Sequence, residues 1–104
     1  MIPTKIKVGP YTVKVRVDSD QTSNDGCYGK FFEKSLTIYL DNQVDDTAIK
    51  ETLMHEALHA CFFASGLDAF LKDKENEEVI VKVLSTWVFQ MLRENNKLVK
   101  YVCE

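Results

Sequence analysis

The sequence predicts an α+β fold, a small antiparallel sheet packed on two helices. Three observations carry this. Apolar residues alternate with period two through the first half. After residue 45 the pattern becomes that of long helices. Both helical segments are apolar around most of their circumference, so each should be buried against other structure. With 104 residues the chain can bury one core. It therefore reads as a single domain, mainly sheet over 1–44 and two helices over 45–96.

Ile6 and Val8 read as a short strand ended by Gly9-Pro10. Val13, Val15 and Val17 alternate with Thr12, Lys14 and Arg16, the pattern of a half-buried strand. Residues 18–26 are polar and turn-rich and read as a loop. Tyr28 to Glu33 reads as a strand containing Gly29. A tight turn near Lys34-Ser35 leads to Leu36, Ile38 and Leu40, which alternate with Thr37 and Tyr39 in another strand.

Asp45 or Asp46 can cap a helix running to about Ser65, with Gly66 at its C-terminal end. A second helix starts near Asp73 to Glu75 and runs to about Asn95. Its acidic start suits the positive end of the helix dipole. Phe62, Phe63, Trp87 and Phe89 recur at helical spacing and read as core. Residues 97–104 read as a short extended tail.

Composition excludes several classes. Apolar residues make up 45% and charged residues 28%, the profile of a soluble globule rather than a disordered chain. Thirteen basic against sixteen acidic residues give a net charge of −3, so no nucleic-acid partner is expected. No apolar run approaches the roughly 20 residues that span a bilayer. The first residues contain no apolar stretch of the secretory type. Cys27, Cys61 and Cys103 are odd in number and not at metal-binding spacing, so neither a disulfide framework nor a cysteine zinc site is expected. A reducing, cytoplasmic location fits them, and Cys61 reads as a small core residue.

The chain owns two histidines, His55 and His59, and they flank Glu56 in the pattern His-Glu-x-x-His. Positions four apart share one face of a helix, about one turn apart. Two imidazoles so placed can reach one zinc ion at about 2.0–2.1 Å. Glu56 can then act as general base towards a metal-bound water that attacks a carbonyl, and afterwards as the acid towards the leaving amine. At this composition, chance would produce the pattern about 0.003 times per chain. Three polar side chains inside an apolar helix are costly to bury without partners, and a bound ion would satisfy them together.

Residues 52–60 (Thr-Leu-Met-His-Glu-Ala-Leu-His-Ala), Asn76-Glu77-Glu78-Val79 and the ending Leu92-Arg93-Glu94-Asn95 resemble small zincin-like metallopeptidases. These are encoded mostly by phages and prophages and are related to the ImmA/IrrE-type metallopeptidases. Tyr28-Gly29 and Leu36 to Asp41 are also similar to that group, so the resemblance covers roughly residues 28–95. It implies a gluzincin-like site whose third zinc ligand is a glutamate on the following helix. Counting along that helix favours Glu78, on a stripe with Val81, Ser85 and Val88. Glu77, on a more apolar stripe, is the alternative. The resemblance further implies peptide-bond hydrolysis, with a peptide or protein substrate laid along an edge strand, which Leu36–Leu40 would supply.

Tyr11, Tyr28, Tyr39 and Tyr101 read first as sheet or tail residues, and Arg93 lies too far along its helix to stabilise an oxyanion. The rival reading is a catalytically inactive zinc-binding module of the same fold, acting by protein–protein contact. Retention of Glu56 speaks against it, because a purely structural site needs no base.

Overall fold

The computed structural model describes residues 1–23, 28–71 and 73–104. The strands are β1 (Lys5–Val8), β2 (Tyr11–Val17), β3 (Gly29–Phe32) and β4 (Thr37–Leu40). The helices are α1 (Ser19–Ser23), α2 (Asp46–Ser65), α3 (Lys74–Glu94) and α4 (Asn96–Cys103), with a 3-10 turn at Leu67–Ala69 between α2 and α3. The α+β class is as the sequence predicts.

The sheet runs β1-β2-β4-β3 and is mixed, not purely antiparallel. β1–β2 and β3–β4 are antiparallel hairpins, whereas β2 and β4 run parallel, with Val15 opposite Ile38 and Val17 opposite Leu40. The reason is strand order. β3 folds back on β4 and takes the outer position, so β4 inserts beside β2 in the same direction. Turn geometry serves both hairpins. Gly9 takes φ +58° where Val8 returns to Tyr11, and Leu36 takes φ +49° ahead of β4. For a leucine that left-handed conformation is uncommon.

One sheet face forms the core. Val8, Val13, Val15, Ile38 and Leu40 are buried against Ala60, and Ile49, Leu53 and Ala64 pack around them. On α2 the positions 49, 53, 56, 60 and 64 form one helical stripe, so Glu56 lies on the sheet-facing side. Asp45 caps α2, its carboxylate accepting the Ala48 N–H at 2.7 Å. Gly66 ends it at φ +78°, its N–H bonded to the Phe63 carbonyl.

Four expectations are corrected. Part of the expected loop is α1, started by the Asp18 carboxylate, which accepts the Asp20 N–H at 3.1 Å. Five residues are too few to display a period. Its remainder, residues 24–26, lies outside the described residues, as does Cys27. The tail is helical, because Asn95 (φ −131°, ψ 62°) interrupts the chain only briefly and α4 resumes after it. Cys61 is exposed, on the side of α2 that faces neither the sheet nor α3. Finally, α3 is not buried all round. Val81 and Ser85 are its buried residues, and Trp87 is 66% exposed. Among the described elements α3 packs mainly on α2, so its far side meets solvent. Phe62 is buried and Phe63 and Phe89 partly so; of the four aromatics expected in the core, Trp87 lies outside it.

Candidate metal centre

The helical stripe beside the sheet-facing one carries His55 and His59 towards α3. Their Nε2 atoms are 3.3 Å apart. Glu78 reaches across from the first turns of α3, with Oε1 2.8 Å from His55 Nε2 and Oε2 2.9 Å from His59 Nε2. The three ligand-type groups lie within 4.8 Å of one another, each offering one atom.

The donor chemistry fits a cation. Ligand atoms of a tetrahedral ion at about 2.0–2.1 Å stand about 3.3 Å apart, close to the separation of the two imidazole nitrogens. The far side of each ring is also occupied. His59 Nδ1 lies 2.6 Å from Glu77 Oε2. A carboxylate only accepts, so Glu77 takes a hydrogen bond from His59 Nδ1, and with the proton on Nδ1 a neutral ring would turn its Nε2 lone pair to an ion at the centre. His55 Nδ1 faces Ser85 Oγ at 3.4 Å. Ser85 is buried, and its hydroxyl donates to the Lys82 carbonyl. Burial holds the His55 pKa below its usual value, helped by the nearby His59 and Lys82 charges and opposed by Glu78. A neutral imidazole is the form that binds a metal.

Glu56 is buried, at 8% exposure. Burial pushes its carboxyl up to about 7, and the Glu78 charge adds to this, while His59 and a hydrogen bond from the Phe31 backbone lower it. A carboxyl poised near neutrality can both take and return a proton. β3 comes close to α2 at this point because residue 29 is glycine. A Cβ there would stand 2.5 Å from Thr52 Cγ2 and 3.3 Å from Glu56 Cγ.

The site opens into a cleft of about 850 Å³ between β3, α2 and α3. The edge strand beside the site is β3, not β4. This corrects the expectation for Leu36–Leu40, which lies inside the sheet. Asp41 N–H donates to the Tyr28 carbonyl, and this sets the alternation of the hairpin. Gly29 and Phe31 then turn their backbone N–H groups away from β4, and that of Phe31 donates to Glu56.

The structure thus brings His55, His59 and Glu78 together, with Glu56 buried beside them. Glu77 is also at the site, but on the outer side of His59. Tyr28, an exposed strand-end residue, lines the cleft. Tyr11 packs on Phe63, Tyr39 packs on Phe32, Tyr101 is exposed on α4, and Arg93 stacks over Phe89. The parts that sequence reasoning missed are the Gly29 approach and the Phe31 contact to Glu56. A glycine inside a strand pattern was the available signal for the first. No family model, curated protein or solved structure matches this chain.

Proposed function

We propose that this chain is a zinc-dependent metallopeptidase of the small, zincin-like kind made by phages and prophages, acting in the cytoplasm on a peptide or protein substrate. The observation that carries the proposal is the convergence of His55, His59 and Glu78 beside a buried, near-neutral Glu56 in one open cleft. His55, His59 and Glu78 would hold the ion, and Glu77 would orient His59. Zinc, when bound, supplies Lewis acidity, lowering the pKa of water and polarising a carbonyl.

The chain's own part is proton handling and positioning. Glu56 would take a proton from the water as its oxygen bonds to the carbonyl carbon and pass that proton to the nitrogen as the C–N bond breaks; with the water's second proton also moved to nitrogen, the cleaved ends depart as a carboxylate and an ammonium. The edge of β3, at the Gly29 N–H and the Phe31 C=O, would pair with an extended substrate and hold the scissile bond over the site.

Metal analysis and a peptide-library cleavage assay test this together. Purified protein is expected to carry one zinc per chain, and His55→Ala to lose it. Glu56→Gln should keep the zinc and lose about 10²–10⁴-fold in cleavage rate. Zinc bound at full occupancy with no cleavage by the wild type would instead favour the non-catalytic module.

A further inference from the structure

The outward face of α3 is apolar. Ile80, Leu84, Trp87 and Met91 are all exposed, and Val79 and Val83 flank them, the former at 62%. Contiguous apolar surface on this scale marks an interface. The spacing of the four central residues is four, three, four. That is the seam of a coiled coil, and it reads the same in both directions. A twofold axis between residues 85 and 86 would set Ile80 against the partner's Met91, and Leu84 against the partner's Trp87. The face is therefore complementary to itself when two helices run antiparallel.

Charge selects the same arrangement. Glu77 and Glu78 are turned to the histidines, and the rest of the α3 start and its cap carries Asp73 and Glu75 against one Lys74. The other end, with α4 and its cap, carries Arg93, Lys97 and Lys100 against Glu94 and Glu104. Antiparallel pairing brings the acidic end of each copy to the basic end of the other, whereas parallel pairing sets like ends together. A stable dimer needs roughly 800 Å² from each partner. The six apolar side chains of α3, with exposed Leu98, Tyr101 and Val102 of α4, offer on the order of 100 Å² each. From these observations we infer that the outward face of α3 binds a second copy of this chain, as an antiparallel, twofold-symmetric dimer. The inference is independent of the metal and of catalysis.

Light scattering with the full chain tests it. The expected mass is twice 11.9 kDa at micromolar concentration. Trp87 is the sole tryptophan, so its emission should shift to the blue as the protein is concentrated. Trp87→Glu should weaken association by about 30-fold or more while leaving the circular dichroism unchanged. Orientation is read from a charge swap. Ile80→Lys alone and Met91→Glu alone should each give monomers. Together they should restore the dimer, because the new cation and anion face one another only in the antiparallel arrangement. A folded wild type that stays monomeric at about 100 µM, far above the Kd of a specific interface, would overturn the inference. So would a double variant that fails to re-associate while both single variants remain folded.

Discussion

At the scale of single residues, Glu56 and Glu77 make the sharpest claims. Glu56 has a folded-state pKa raised from 4.5 to about 7. The folded protein therefore binds more protons than the unfolded chain between those values, and Glu56 destabilises the metal-free fold progressively as pH rises through that window. Replacing Glu56 with Gln in chelator-treated protein should leave urea stability at pH 4 nearly unchanged. At pH 8 it should raise stability by about 2–3 kcal/mol. An equal effect at both pH values would remove the buried charge as the cause. In the proposed site Glu77 would act through His59, which it contacts at 2.6 Å. Glu77→Gln is expected to keep one zinc per chain but to weaken its binding about 10–100-fold, measured by competition with a chelating dye. Glu78→Gln should cost more, and the reverse order would exchange the two roles. The two histidines and Glu56 were legible in the sequence because helical spacing alone puts them on adjoining stripes. The choice between Glu77 and Glu78 was harder, because neighbours on a helix both reach a site on its first turns. Their roles separate only when the two nitrogens of His59 are placed in space.

Among the elements, the contact of β3 with α2 shapes the cleft. Gly29→Ala should cost about 1–3 kcal/mol, because the new methyl group meets Thr52 Cγ2 at 2.5 Å and must drive strand and helix apart. Thr52→Ser removes that methyl carbon, so urea titrations of the double variant should recover part of the loss. No recovery would place the strain at the Tyr39 carbonyl, 3.2 Å away, instead. Both long helices could be read from the sequence with their caps, since Asp45, Gly66 and Asp73 are chemical signals at fixed positions. The parallel join between β2 and β4 could not. Period two reveals that Val15 and Ile38 face inward but says nothing about which strand lies beside which. The same limit put the expected edge strand at β4, which lies inside the sheet.

Across the whole molecule, the apolar content of α3 looked like core because periodicity measures where apolar residues fall, not what else is available to cover them. The sheet already occupies one side of α2, and α3 packs on another, with no further described layer over its outer side. A bound metal would tie α3 to α2 and should stabilise the whole fold. At a free zinc concentration about 100-fold above the Kd the gain is about 2.7 kcal/mol. Removing zinc with a chelator should then lower Tm by roughly 10–20 °C, and adding it back should restore the midpoint. An unchanged Tm would mean that the three ligands do not hold an ion in the folded state.

The position of those ligands along the chain has a kinetic consequence. All of them lie between residues 55 and 78, on two helices that each form from contacts within a turn, whereas β2 and β4, at the same chain separation as His55 and Glu78, have no local structure to hold them before they pair. Helices form in about a microsecond, while strand pairing is slower because all of its hydrogen bonds are made between distant residues. The ion-binding half can therefore assemble before the sheet is complete. An ion captured at that stage would hold α2 in place as the surface on which the strands then align.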